Sequence, residues 1–113
     1  MPHLFIATGS GIAPFHSILH SEPSLDYTLL HGVRHLHERY EHEGYDPQRY
    51  IACVTRDAGG DFQGRVTDWL AQHDLPPDAR YYLCGNSDMI YQAFDILQEQ
   101  GIPRTHLHTE VYF

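Results

Sequence analysis

The stretch FIATGSGIAPFH, residues 5–16, decides the fold of this chain. An apolar run breaks into a turn that contains Gly9 and Gly11, and a helical pattern begins directly after it. Glycines permit a tight turn and let backbone N–H groups approach an anion, while the helix adds the positive end of its dipole. Pro14 suits the first helical turn, where its missing N–H costs nothing. The stretch predicts a strand–turn–helix unit that binds a phosphate group; the alternative is a plain turn without a ligand.

Length and composition indicate one globular domain covering residues 1–113. Hydrophobic residues make up 42% of the 113 residues, and aromatic residues 12%, which is enough for a core and too much for a disordered chain. No apolar run approaches the ~20 residues of a membrane span, and no basic segment precedes an apolar one at the N-terminus. The only cysteines, Cys53 and Cys84, form no CxxC motif. We therefore expect a cytoplasmic protein that does not interact with membranes.

Positive charge in this chain comes from arginine alone. Seven arginines stand against fifteen acidic residues, and the formal net charge is −8. Nucleic-acid-binding proteins usually present a basic face, so nucleic acid is not expected as a partner. An anionic ligand would have to use individual arginines or helix N-termini.

Ten histidines raise the question of a metal site. Zinc sites use pairs of histidines at the spacings found here. However, no glutamate completes an HExxH motif, and the histidines are spread over predicted elements on different sides of the sheet. We interpret them as exposed or partly buried side chains and predict no metal site. The spaced pairs are His16 and His20, His35 and His37, and His106 and His108.

Short β-rich runs alternate with helical patterns along the whole chain. Several strand candidates are apolar without alternation, as strands buried on both faces are. This order predicts an α/β fold with a parallel sheet and right-handed crossovers. The predicted strands are residues 4–8, 27–32, 50–55, 80–84 and 106–110, and the predicted helices are residues 13–20, 36–43, 64–72 and 88–100. Residues 57–62, which contain two consecutive glycines, are predicted to form a flexible loop.

Ligands of such sheets bind beyond the carboxyl ends of the strands, beside the point where strand order reverses. This rule selects residues 8–14, 32–34, 55–65 and 84–87 and the stretch after residue 106. These segments also have the least ordinary composition in the chain. We therefore expect the functional site along this edge.

The sequence TGSGIAP, residues 8–14, resembles the TG[TS]GIAP corner of the pyridine-nucleotide domain of the ferredoxin–NADP reductase family. Other motifs of this family follow in order, each after a predicted strand, and the resemblance extends over residues 4–113. It implies a three-layer sandwich whose five-stranded parallel sheet has the order 3-2-1-4-5. The further motifs are Gly32-Val33-Arg34, Thr55-Arg56, Cys84-Gly85-Asn86 and Glu110-Val111-Tyr112.

The resemblance implies that the chain binds NADP, with NAD as the alternative. A guanidinium and a hydroxyl group can make charge-assisted contacts to a 2′-phosphate. In the alternative interpretation, Arg56 is a surface charge paired with Asp57 or Asp61. The implied cofactor-binding residues are Thr8, Gly9, Ser10, Gly11, Ile12 and Pro14 for pyrophosphate and ribose, Arg34 after the second strand, Thr55, Arg56 and Arg65 for the 2′-phosphate, and Gly85, Asn86 and Ser87 on the nicotinamide side.

Three residues are implied to act in catalysis: Cys84, Glu110 and Tyr112. Cys84 is expected near the nicotinamide, Glu110 in proton or charge handling, and Tyr112 on the flavin ring, although Phe113 could take that last place. The alternatives are a buried structural thiol for Cys84 and plain packing for the terminal aromatics. Cys53, in the middle of a strand, is interpreted as structural.

The family's FAD-binding domain is expected to lie N-terminal to this chain, because its Arg-x-Tyr-Ser/Thr motif does not occur here. In the whole enzyme, ferredoxin or flavodoxin would be the electron partner. We expect the isolated chain to be colourless and inactive, as a cut-out lobe or a natural stand-alone one. The alternative function is a non-catalytic nucleotide-binding or interaction module that acts with a separate flavoprotein.

Overall fold

A computed structural model describes residues 2–39 and 42–111 of the chain, without the side chains of residues 110 and 111. Within these residues, the five predicted strands and three of the four predicted helices form. The strands are β1 (His3–Thr8), β2 (Tyr27–Val33), β3 (Tyr50–Val54), β4 (Phe62–Gln63), β5 (Arg80–Gly85) and β6 (Leu107–Val111), and the α-helices are α1 (Ala13–Ser21), α2 (Val66–Gln72) and α3 (Ser87–Glu99).

All strands pair in parallel, in the order β4-β3-β2-β1-β5-β6. The predicted order holds for the five predicted strands, but the prediction of a five-stranded sheet is wrong, because β4 adds a sixth strand beside β3. The Asp61 carboxylate accepts a hydrogen bond from the Ala52 N–H at 2.8 Å, and the Gly64 N–H donates to the Val54 carbonyl at 3.0 Å. These two hydrogen bonds hold residues 61–64, at the end of the predicted loop, against β3 at the edge of the sheet.

The predicted helix over residues 36–43 does not form in the part that the structure describes. Two 3₁₀ turns, Leu36–Glu38 and His42–Gly44, occupy this crossover between β2 and β3, and neither buries a residue. A helix needs an apolar stripe to pack on a sheet, and this stretch offers Leu36 as its one aliphatic residue. Tyr45, which follows the second turn, is buried instead in the core cluster that also contains Phe15 of α1.

Both faces of the sheet are covered, which confirms the three-layer sandwich. Along β1, Leu4 and Ile6 join the core cluster that contains the buried residues of α2 and α3. Phe5 and Ala7 point the other way and join the cluster that contains Phe15 of α1. Because every major strand runs in the same direction, the carboxyl ends of β1, β2, β3 and β5 meet at one edge.

Candidate functional site

Two adjoining clefts lie along the carboxyl edge of the sheet. Thr8, Gly9 and Asn86 line both of them. The first, here called the arginine cleft, has a volume of about 780 Å³ and covers the ends of β2 and β3; the second, the turn cleft, has a volume of about 770 Å³ and covers the start of α1. Predicted site residues that line only one cleft are Arg34, Thr55, Arg56 and Arg65 in the first and Ser10, Gly11, Pro14 and Gly85 in the second.

The two glycines of the opening motif have different structural roles. Gly9 has a φ of +54°, and a Cβ atom built on it would meet no atom within 4 Å. Gly11 is buried, and a Cβ atom there would lie 2.7 Å from the Cys84 carbonyl oxygen and 2.8 Å from the Gly85 Cα atom. Gly9 therefore leaves the turn open to the clefts, whereas Gly11 lets the 3₁₀ turn Gly9–Ile12 pack directly against the end of β5.

A hydrogen-bonded connection joins the ends of β1 and β5. The Thr8 hydroxyl oxygen accepts a bond from the Asn86 N–H at 2.9 Å. The Asn86 side-chain oxygen in turn caps α3 by accepting bonds from the N–H groups of Asp88 and Met89, at 2.9 and 3.2 Å. Gly85 has a φ of +128°, and a Cβ atom at this position would overlap the Thr8 hydroxyl oxygen. These contacts fix the floor that both clefts share.

Arg56 and Arg65 stand in the arginine cleft without an acidic partner. Among residues 2–39 and 42–111, neither guanidinium forms an ion pair with a carboxylate. The alternative pairing of Arg56 with Asp57 or Asp61 is not formed. The Asp57 carboxylate accepts a bond from the Leu36 N–H at 2.8 Å, which lowers the pKa of Asp57, and Asp61 is bonded to a strand amide.

The third arginine of this cleft is balanced by a neighbouring acid. A guanidinium nitrogen of Arg34 lies 3.7 Å from a Glu38 carboxylate oxygen. Glu38 also accepts bonds from the N–H groups of His35 and Arg34, at 2.9 and 3.1 Å, and the His35 bond is the main reason that the pKa of Glu38 is lowered. The two unpaired arginines thus form a local positive site in a chain of net charge −8.

The residues predicted to act in catalysis are only partly within the described structure. Cys84 is 1% exposed and belongs to the core cluster on the α1 side of the sheet, as its alternative interpretation as a structural thiol expects. Glu110 pairs with Cys84 in the register of β5 and β6, so its backbone lies beside the carboxyl end of β5. The Glu110 side chain, and the whole of Tyr112 and Phe113, lie outside the described residues.

Two predicted cofactor-binding residues line neither cleft. Ile12 is 4% exposed and packs in the core, so any contact it makes with a ligand must use its backbone. Ser87 is the first residue of α3. It follows directly after the capping residue Asn86, and its side chain is only half-buried.

Sequence reasoning missed several residues that line the clefts. Thr67 is 7% exposed in the first turn of α2 and faces the arginine cleft; its place directly after Arg65 and Val66 was an available signal. Gln92 reaches the same cleft from the second turn of α3, which only packing reveals. Cys53 also lines it, and burial raises the pKa of its thiol to about 12, consistent with a structural role.

The described residues contain neither a candidate metal centre nor a membrane-spanning helix. Within the described ranges, no three or more histidine, cysteine, aspartate or glutamate side chains are grouped so that they could hold a metal ion. None of the described helices has the length and apolar character needed to cross a membrane.

Comparison with known proteins identifies the family. The family model described as the oxidoreductase NAD-binding domain matches residues 5–94. The reductase component of propane 2-monooxygenase from Mycolicibacterium smegmatis is 30% identical over 92% of this chain and 35% of its own length. Ferredoxin–NADP reductase from Azotobacter vinelandii is 27% identical over 88% of this chain and 50% of its own length.

Solved structures confirm the fold. Flavohemoglobin from Malassezia yamatoensis, with bound FAD and heme, superposes with a TM-score of 0.82 at 23% identity, over 99% of this chain and 32% of that chain. The chain thus spans about a third to a half of the length of these relatives. The matches do not favour the alternative of a non-catalytic module. This chain belongs to the oxidoreductase NAD-binding domain family, as an NAD(P)-binding domain of the ferredoxin–NADP reductase type.

Proposed function

We propose that this chain binds NADP(H) across the two clefts, with the adenosine 2′-phosphate in the arginine cleft. The observation that carries the proposal is the pair Arg56 and Arg65, which share this cleft and form no ion pair with the described carboxylates. Guanidinium groups bind phosphate oxygens through two parallel N–H bonds, and the Thr55 hydroxyl in the same cleft adds a further donor. NAD lacks the 2′-phosphate and would leave this positive site unused.

The pyrophosphate and the adjoining ribose would lie against the turn from Thr8 to Pro14. Gly9 lines both clefts and leaves open space on its Cβ side, so a ligand backbone can pass from one cleft to the other there. The start of α1, with Pro14 at its second position, directs the positive end of a nine-residue helix toward the turn cleft. Negative charge is stabilised at such a helix terminus.

The nicotinamide would lie at the Gly85 end of the turn cleft. Gly85 and Asn86 both border the turn cleft, and the lack of a side chain at Gly85 lets β5 end directly against Thr8. Cys84 and Glu110 are neighbours in the register of β5 and β6, and we propose that Cys84, Glu110 and Tyr112 take part in the reaction, as the family resemblance implies. Bound NADP(H) would supply the hydride that is exchanged with a flavin.

We further propose that residues 1–113 act beside an FAD-binding domain, with ferredoxin or flavodoxin as the electron partner of the whole enzyme. This rests on the relatives: one is a ferredoxin–NADP reductase, and another is the electron transfer component of toluate 1,2-dioxygenase from Pseudomonas putida. The chain covers 50% and 37% of their lengths, which leaves room in those proteins for a second domain.

Isothermal titration calorimetry of the chain with NADP⁺ and with NAD⁺ tests the proposal. We expect one site that binds NADP⁺ at least about thirtyfold more tightly than NAD⁺, which corresponds to about 2 kcal/mol for the contacts of the two guanidiniums to the extra phosphate. Equal affinity for the two dinucleotides would contradict the 2′-phosphate site. Failure of the folded chain to bind either dinucleotide would contradict nucleotide binding altogether.

A further inference from the structure

A buried histidine lies directly behind the turn that separates the two clefts. His31, in β2, has no exposed surface. Its neighbours in register are Ala7 of β1 and Ala52 of β3, whose small side chains leave room for the imidazole ring. The ring lies 2.8 Å from two partners: Nε2 from the Gly9 carbonyl oxygen, and Nδ1 from the Tyr50 hydroxyl.

The two contacts determine which ring nitrogen carries the proton. A carbonyl oxygen can only accept a hydrogen bond, so Nε2 must donate to Gly9. Burial lowers the pKa of His31, which keeps the ring neutral, and burial raises the pKa of Tyr50, which keeps its hydroxyl protonated. Nδ1 therefore accepts a hydrogen bond from the Tyr50 O–H, and Tyr50 holds His31 in the tautomer that bonds Gly9.

The bond to the Gly9 carbonyl also sets the direction of the next N–H group. The Gly9–Ser10 peptide is trans, and in a trans peptide the C=O and the following N–H point in opposite directions. His31 holds the carbonyl toward the sheet, so the Ser10 N–H points away from it. The first N–H groups of a helical turn have no acceptor inside that turn, and Ser10 lines the turn cleft.

We propose that His31 is a positioning residue for phosphate binding: it holds the Gly9–Ser10 peptide so that the Ser10 N–H is presented to the pyrophosphate of the dinucleotide. This inference rests on the proposed function. The contact matters at Gly9 because glycine permits many backbone conformations, its φ is +54°, and open space on its Cβ side gives it no packing there. His31 touches no ligand in this arrangement and acts only through Gly9.

Substitution of His31 tests the proposal with two ligands. We expect His31→Leu, which lacks any donor, to weaken NADP⁺ binding by about tenfold, the value of one charge-assisted hydrogen bond. His31→Gln retains an N–H donor at comparable reach and should recover most of this loss. Adenosine 2′-monophosphate has no pyrophosphate and uses the arginine cleft alone, so its affinity should change by less than about twofold in either variant.

The outcomes separate this inference from the proposed function. If the unaltered chain binds NADP⁺ and folded His31→Leu binds it equally well, the positioning role is wrong and the proposed function stands. Equal losses for NADP⁺ and adenosine 2′-monophosphate would mean that His31 only maintains the fold, which also refutes the positioning role. If the unaltered chain binds no NADP⁺, the proposed function fails and this inference fails with it.

A nitrogen-detected NMR experiment on the unaltered chain does not depend on the variants folding. The ¹⁵N shifts of His31 at pH 7 should show a protonated Nε2 and an unprotonated Nδ1. The opposite tautomer would overturn the proposal, because Nε2 could not then donate to Gly9. Tyr50→Phe removes the partner of Nδ1 and should shift this tautomer equilibrium and the Ser10 amide resonance together.

Discussion

The strongest quantitative prediction concerns Arg56 and Arg65 in the arginine cleft. Both guanidiniums are exposed, so solvent weakens each contact to a phosphate, and we assign about 1 kcal/mol to each, at the upper end for exposed charge pairs. Arg56→Ala or Arg65→Ala alone should therefore weaken NADP⁺ binding about fivefold. If the two contacts are independent, the double variant should lose about 2 kcal/mol, or about thirtyfold.

Calorimetric titration of each variant with NADP⁺ and NAD⁺ measures these losses. NAD⁺ has no 2′-phosphate, so its affinity should stay within about twofold and the preference for NADP⁺ should fall with each substitution. Arg104→Ala is the matched control: it removes the same charge from the turn before β6, at the opposite edge of the sheet, and should leave both affinities unchanged. Equal weakening of NADP⁺ and NAD⁺, or an equal effect of Arg104→Ala, would refute the reasoning.

Three further predictions concern stability. Gly11→Ala should lower the free energy of unfolding by about 1–3 kcal/mol in urea denaturation, because its Cβ atom would lie 2.7 Å from the Cys84 carbonyl oxygen and backbone atoms must move. Asn86→Ala should cost about 1 kcal/mol in the same assay, since it removes the cap of α3. His31→Leu should flatten the pH dependence of stability below pH 6.5, measured as the urea midpoint at successive pH values.

The sign of the His31 effect follows from its lowered pKa. Below the ordinary histidine pKa of 6.5, the unfolded chain binds a proton that the folded chain does not, so stability falls as the pH falls, by up to about 1.4 kcal/mol per pH unit. This continues until the lower pKa of the folded state is reached. Asp57 and Glu38 have depressed pKa values, so their contributions are retained above their ordinary values of 3.8 and 4.5 and are lost at lower pH. A pH profile of His31→Leu parallel to that of the unaltered chain would contradict the burial argument.

Gly44→Ala is the control for Gly11→Ala. A Cβ atom at Gly44 would meet only the His16 ring, at 3.9 Å, so the change should stay within about 0.5 kcal/mol. An equal loss at both positions would show that the packing of Gly11 on β5 is not the cause. For Asn86→Ala, unchanged stability would mean that the cap contributes nothing measurable.

Strands β1, β2, β3 and β5 were predictable because they are short apolar runs, mostly buried and each followed or ended by a glycine or polar residue. Their order in the sheet came from the family resemblance. The sixth strand was not predictable, because Phe62–Gln63 is two residues long and is held by the Asp61 side chain and the Gly64 amide. The prediction of a helix in the crossover after β2 was wrong, because Leu36, the one aliphatic residue in residues 36–43, could not alone provide a buried stripe.

The site was predictable in outline, because the carboxyl ends of parallel strands must share an edge. The sequence could not separate the two glycines, since only the packing on β5 gives Gly11 a steric role. Nor could it decide whether Arg56 pairs with its neighbour Asp57, because the amide that binds this carboxylate comes from Leu36, 21 residues away. The sequence also could not show that His31 contacts Gly9, because the two residues are 22 positions apart in the chain.

The most direct test of nucleotide binding across both clefts is an NMR titration of the ¹⁵N-labelled chain with NADP⁺. The account predicts saturable shifts at the amides of Gly9, Ser10, Arg56 and Asn86, which line the two clefts, and none at His106, at the opposite edge of the sheet. Shifts that avoid the carboxyl edge of the sheet, or no saturable shifts at all, would contradict the central claim.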